Sequence, residues 1–116
     1  MNILKSLWMM PAVALWMPMG AVAVEQAAIT EQDIEYSPEV AEVHVGQPIH
    51  LVNKDPFEHK SRVTLQQAGG TLGEIALKDH LDKPGEDYVF KIDRPGTYEI
   101  RCMLHDGMTA TIHVVR

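Results

Sequence analysis

Two runs of strict alternation near the C-terminus bracket a tight loop, and this arrangement constrains the fold more than any other feature of the chain. Tyr98, Ile100 and Cys102 alternate with Thr97, Glu99 and Arg101; further on, Ala110, Ile112 and Val114 alternate with Thr111, His113 and Val115. A period of two places successive side chains on opposite faces of a half-buried strand. The intervening residues, Cys102-Met103-Leu104-His105-Asp106-Gly107-Met108, have the spacing C-x2-H-x2-M and contain the only cysteine of the chain.

The same alternation recurs upstream. Val43 and Val45 alternate with Glu42 and His44 before the turn Gly46-Gln47-Pro48, and Ile49 and Leu51 alternate with His50 and Val52 as far as the loop Asn53-Lys54-Asp55-Pro56. His59, Ser61, Val63 and Leu65 share one face, and Gly69-Gly70 ends that strand. Tyr88, Phe90 and Ile92 share another face, followed by the turn Arg94-Pro95-Gly96. Short alternating segments separated by turn chemistry, with no repeat or linker, predict an all-β sandwich or barrel. Two segments are less legible. Ile75, Leu77 and Leu81 have weak helical spacing, so Glu74 to Leu81 is expected to form a short helix or irregular excursion. The stretch from Val24 to Ile34 leaves open whether it pairs as an edge strand.

A thiolate, an imidazole and a thioether within one tight loop are soft donors that suit copper. A buried cysteine near a surface histidine is the plainer reading of the motif taken alone. The parity favours metal: Cys102 ends a strand on its apolar face, and His59 begins another strand on its apolar face. Two strands of a sandwich can bring those ends together at one pole. A single cysteine excludes an internal disulfide, a c-type haem, an iron–sulfur cluster and a multi-cysteine zinc site.

The N-terminus reads as a leader. Lys5 is its only charge, Leu7 to Val24 is apolar, and Ala21-Val22-Ala23 has the small-x-small pattern of a signal-peptidase site. An uncleaved membrane anchor is the alternative, but Pro11 and Pro18 interrupt the run and no basic residues follow it. The expected division is a signal peptide over 1–23 and one domain over 24–116, with no membrane span after cleavage. Both tryptophans leave with the leader, and Met103 and Met108 are the only methionines that stay. The net charge of −6 becomes −7 once Lys5 is removed. An acidic body argues against nucleic acid and favours a partner with a positive docking patch.

Pro95-Gly96-Thr97-Tyr98-Glu99-Ile100-Arg101-Cys102, followed by Leu104-His105 and Gly107-Met108-Thr109, resembles the terminal strand–loop–strand of the cupredoxins, in particular the plastocyanin–amicyanin–pseudoazurin group. Asn53-Lys54-Asp55-Pro56-Phe57-Glu58-His59 is similar to the first-ligand segment of that group, and Val43 to Ile49 to its early hairpin. The short loop is most like that of amicyanin. The resemblance implies a Greek-key β-sandwich of about seven to eight strands with one copper ion at one pole. It implies His59, Cys102 and His105 as equatorial ligands and Met108 as the axial one. His105 is expected at the surface as an electron port, His59 deeper, and Phe57, Pro56 and Leu104 around the port either as an apolar docking patch or as ordinary loop packing. The chain departs from the group at Lys60, where asparagine usually bridges the two ligand loops, at Asp106, where proline is common, and at Glu58. His44, His50 and His113 fall on outward parity and are expected in solvent; His80 carries little signal. Asp79, Asp82, Glu86 and Asp87 read as a soluble acidic face.

These readings lead to an exported, periplasmic, monomeric blue-copper (type 1) electron-transfer protein that uses the Cu(II)/Cu(I) couple and docks transiently near His105 on a cytochrome or redox enzyme. A periplasmic copper carrier or buffer would use the same ligands for Cu(I) and is the alternative. An oxidase or reductase needs a second copper centre, for which the chain offers no ligands near Cys102, so no enzyme is expected.

Overall fold

The structure, a computed structural model, describes residues 26–116. The expected signal peptide lies outside the described residues, which form nine strands: β1 (Ala27–Gln32), β2 (Glu35–Ser37), β3 (Val40–His44), β4 (Ile49–Asn53), β5 (His59–Gln66), β6 (Leu72–Asp82), β7 (Asp87–Phe90), β8 (Gly96–Cys102) and β9 (Thr109–Val115). They build the two-sheet Greek-key sandwich in the orders β2-β1-β4-β7 and β3-β9-β8-β5-β6.

The alternating residues meet between the sheets. Ile29, Ile49 and Leu51 from the first sheet pack with Val43, Val63, Ile100 and Ile112 from the second, each no more than 1% exposed. Removing a branched side chain of this size from water is worth roughly 1.5–3 kcal/mol, so these residues fix which face of each strand turns inward. A one-residue slip would turn Cys102 to solvent and Arg101 into the core. At the pole away from the cysteine loop, the Tyr98 hydroxyl donates to the Arg94 carbonyl at 2.7 Å, tying the β7–β8 connection to the start of β8.

Two segments that are less legible in sequence take definite form. The stretch from Val24 to Ile34 yields β1, which is not an edge: it pairs parallel to β4 and antiparallel to the three-residue β2. With that pair the count reaches nine strands, one or two beyond the expected number. The segment Glu74 to Leu81 is strand, not helix, and belongs to the edge strand β6, which runs antiparallel to β5. Three register shifts, between Ser61 and Val63, Val63 and Thr64, and Thr64 and Gln66, each place one more residue on β6 than on β5. Bulges of this kind break the period of two, which is why Ile75, Leu77 and Leu81 do not read as a strand in sequence.

Candidate metal centre

The two strands that frame the loop deliver its side chains to one pole. β8 pairs antiparallel with β9, and Cys102 lies opposite Ser61 of β5. His59, two residues before Ser61 on the same inward face, therefore sits beside the cysteine. The loop is held at both ends: the Cys102 N–H donates to the Met108 carbonyl at 3.0 Å, and the Met103 N–H donates to the Lys60 carbonyl at 2.6 Å. The second bond ties the two ligand loops through the backbone of Lys60, so the link does not need the asparagine usual at that position. Gly107 (φ 80°) takes the left-handed conformation that closes the loop, where a side chain would be strained.

His59, Cys102 and His105 converge. The two Nδ1 atoms are 3.2 Å apart, and the Cys102 Sγ lies 3.6 Å from that of His59 and 3.5 Å from that of His105. Bonds of about 2.0 Å to nitrogen and 2.3 Å to sulfur, the lengths seen for a zinc-sized ion, give triangle edges of about 3.5–3.7 Å. The donor atoms thus stand close to where one first-row ion would hold them, and two imidazoles with a thiolate suit copper. His59 is fully buried, Cys102 is 3% exposed and His105 is partly exposed, so the cluster is closed from below and reaches solvent only through His105. Met108, 2% exposed, is part of the buried core at the end of the loop. Phe57 rests against both imidazoles, with ring centroids 5.4 Å from His59 and 5.9 Å from His105. Phe57 is exposed, as are Pro56, Met103 and Leu104 of the two loops.

Behind the donors lies a polar layer that, in sequence, looks like an ordinary turn. Asn53, fully buried, donates through Nδ2 to the carbonyls of Phe57 and Asp82, both at 2.9 Å, and accepts the Asp55 N–H at 2.9 Å. The Asp55 carboxylate takes the Nε2–H of His59 at 2.8 Å. It also takes the backbone N–H of Asp33 at 2.7 Å and of Ile34 at 3.1 Å. Burial works to raise the Asp55 carboxyl, but the bonds from His59 and from those two backbone groups outweigh it and hold the group below its ordinary value.

A second buried cluster begins at Ser61. Its hydroxyl lies 2.5 Å from Asp82, 3.2 Å from Glu31 and 2.7 Å from the Tyr36 hydroxyl. Asp82, assigned in sequence to a soluble face, is 1% exposed and accepts from His80 Nδ1 at 2.7 Å, and the His80 ring stacks on Tyr88 at 3.6 Å. Burial, and then the neighbouring Asp82 carboxylate, push the Glu31 carboxyl up to about 9, so it is protonated at neutral pH. Burial likewise raises the Tyr36 phenol. Neither Glu31 nor Asp82 could be found from sequence, because each acquires its burial only when β1 and β6 close on Ser61. Of the outward histidines, His44 is exposed and meets the Arg116 carbonyl, whereas His113 is half-buried beside Thr97 and His50, also half-buried, is paired with Asp87 and Gln26.

Comparison with known proteins places this geometry. Residues 23–115 match the family of copper binding proteins described as plastocyanin/azurin. Plastocyanin from Ginkgo biloba is 32% identical over 82 residues, 66% of this chain and 81% of that protein. Plastocyanin from Scenedesmus fuscus is 30% identical over 83 residues, 68% of this chain and 85% of that protein. Among solved structures, the reduced state of an amicyanin mutant superposes with a TM-score of 0.63 at 26% identity, covering 81% of this chain and 86% of that one.

Proposed function

The chain belongs to the plastocyanin/azurin family of copper-binding proteins, and on that premise we propose that it is an exported one-electron carrier with a type 1 copper site. The observation that carries this reading is the convergence of two imidazole nitrogens and one thiolate sulfur, 3.2–3.6 Å apart, at a pole where only one of the three residues reaches solvent. His59, Cys102 and His105 hold the ion in this reading, and Met108 provides a weak thioether on the core side. Bound copper supplies a Cu(II)/Cu(I) couple.

The chain's own residues do the rest. Core packing behind Cys102 and the bonds that tie its loop to Met108 and Lys60 keep the donors in place whichever oxidation state is present, so little needs to rearrange on transfer. His105 provides the path to the surface, and the rim of Phe57, Leu104 and Met103 gives a redox partner a dry contact around it. Acidic Glu58 and Asp106, both exposed beside this rim, favour a partner with basic charge there, a cytochrome or a redox enzyme. The protein acts as a monomeric carrier and not as an enzyme, and no helix among the described residues is long and apolar enough to cross a membrane. Residues 1–23 serve as a signal peptide in this reading, which places residues 24–116 in the periplasm.

A visible absorption spectrum of residues 24–116, titrated with Cu(II) and then with ascorbate, tests the proposal. An intense blue thiolate-to-copper band that bleaches on reduction and returns on oxidation is expected. A colourless protein that binds Cu(I) tightly and exchanges it rapidly would replace electron transfer with copper carriage or buffering. No copper binding at all would reduce Cys102 to a buried structural thiol.

A further inference from the structure

We propose that Asp55 is a positioning residue of the metal centre and that the β1–β2 turn, far from the ligands in sequence, is what aims it. The inference rests on the copper reading above and extends it beyond the four donors.

The geometry begins at His59. Its ring is fully buried, and its two nitrogens face different partners: Nδ1 toward Cys102 and His105, Nε2 toward Asp55 Oδ2 at 2.8 Å. An ionised carboxylate only accepts hydrogen bonds, so Nε2 carries the proton and Nδ1 is left with its lone pair directed at the donor cluster. A carboxylate partner also makes the imidazole a stronger donor than a carbonyl or a water would. Stronger donation stabilises the more highly charged ion, Cu(II), over Cu(I).

Asp55 is itself over-determined. Its N–H is taken by Asn53, Oδ1 receives the Asp33 N–H, and Oδ2 is shared between the Ile34 N–H and His59. Asp33 and Ile34 both lie in the left-handed region, at φ 56° and 60°. The N–H groups of both residues donate to the Asp55 carboxylate. Ile34 adopts that conformation although a β-branched residue is disfavoured there, and its side chain remains exposed. The two-residue turn between Gln32 and Glu35 itself sets φ positive at both positions, and the turn so formed directs both N–H groups to Asp55. The chain of contacts from Asp33–Ile34 through Asp55 to His59 is continuous and consists of three hydrogen bonds.

The test is Asp55→Asn in the exported protein, read in two ways. In the metal-free protein, nitrogen NMR of the wild type should show the His59 Nε2–H protonated and slow to exchange, with Nδ1 bare; the opposite tautomer overturns the proposal. In the copper-loaded protein, Asp55→Asn should keep the blue band while shifting the Cu(II)/Cu(I) ratio at fixed ambient potential about tenfold toward Cu(I), ~59 mV for a one-electron couple. A ratio within twofold of wild type overturns it. A wild type with no blue band would sink the copper reading instead, and the NMR result would still decide whether Asp55 orients His59.

Discussion

His59 and Ser61 stand two residues apart on the same face of β5, and each anchors a buried polar cluster with opposite logic. His59, His105 and Cys102 form the first, three donor residues whose ligand atoms converge within 3.2–3.6 Å of one another. Around Ser61 gather two carboxyls, a hydroxyl and a phenol, a group that closes on itself once Glu31 keeps its proton. The first cluster opens to solvent through His105; the second is sealed except through His80. Burying polar groups is costly unless they are satisfied; the first set is arranged as metal donors, and in the second Glu31 Oε1 is left without a hydrogen-bond partner. The spacing of two keeps both on the inward face of one strand while letting each serve a different task.

The largest effect should come from Cys102→Ser. It removes the blue colour entirely in a copper titration, while circular dichroism shows a folded sandwich and the Ser61 cluster keeps its pH response. A blue spectrum that survives the substitution would end the type 1 assignment.

Next comes Ile112→Ala, a fully buried core position paired in register with Tyr98, expected to cost about 2–5 kcal/mol in urea unfolding. Ile112 carries no donor atom, so the spectrum should keep its shape.

The Ser61 cluster predicts a pH dependence with a definite sign. The folded Glu31 carboxyl holds its proton up to about pH 9, whereas its ordinary value is 4.5. Between those values the folded state binds a proton that the unfolded state releases, so stability is complete below about pH 4.5 and falls as pH rises toward 9. A tenfold difference in proton affinity between the two states corresponds to about 1.4 kcal/mol, so the loss by pH 9 should exceed that figure. Glu31→Gln should flatten the profile and be the more stable protein at pH 9, with copper colour unchanged. A wild-type profile flat from pH 5 to 9 would show that the second cluster does not hold its proton.

Ser61→Ala probes the boundary between the clusters. It strips a hydroxyl shared by Tyr36, Glu31 and Asp82 and should cost about 1–3 kcal/mol, again with the blue band intact. The smallest effect is expected for His80→Asn, at about 0.5–1.5 kcal/mol, because His80 is half-buried and lies at the solvent side of Asp82.

What could be read in the sequence depended on whether a residue's neighbours were set by local periodicity. The inward parity of Tyr98, Ile100 and Cys102, the tight C-x2-H-x2-M loop and the inward start at His59 are local properties, and they sufficed to anticipate a β-sandwich with His59, Cys102 and His105 at one pole. β6 escaped because its three bulges erase the alternation that marks a strand. β1 escaped because its apolar residues are few: Ile29 and the protonated Glu31 both point inward, and an acidic residue on the core face reads as solvent.

By itself, then, the sequence determined the class of fold and the meeting of Cys102 and His59 at one pole, because strand period and loop spacing depend on neighbours along the chain. Tertiary structure alone decided which groups stand behind those donors. Asp55 meets the Asp33–Ile34 turn, and Glu31 meets Asp82 and Ser61, across separations of more than 20 residues. No periodicity encodes such meetings: a carboxylate's role follows from which backbone N–H groups, rings and charges the packed sheets bring within about 3 Å of it.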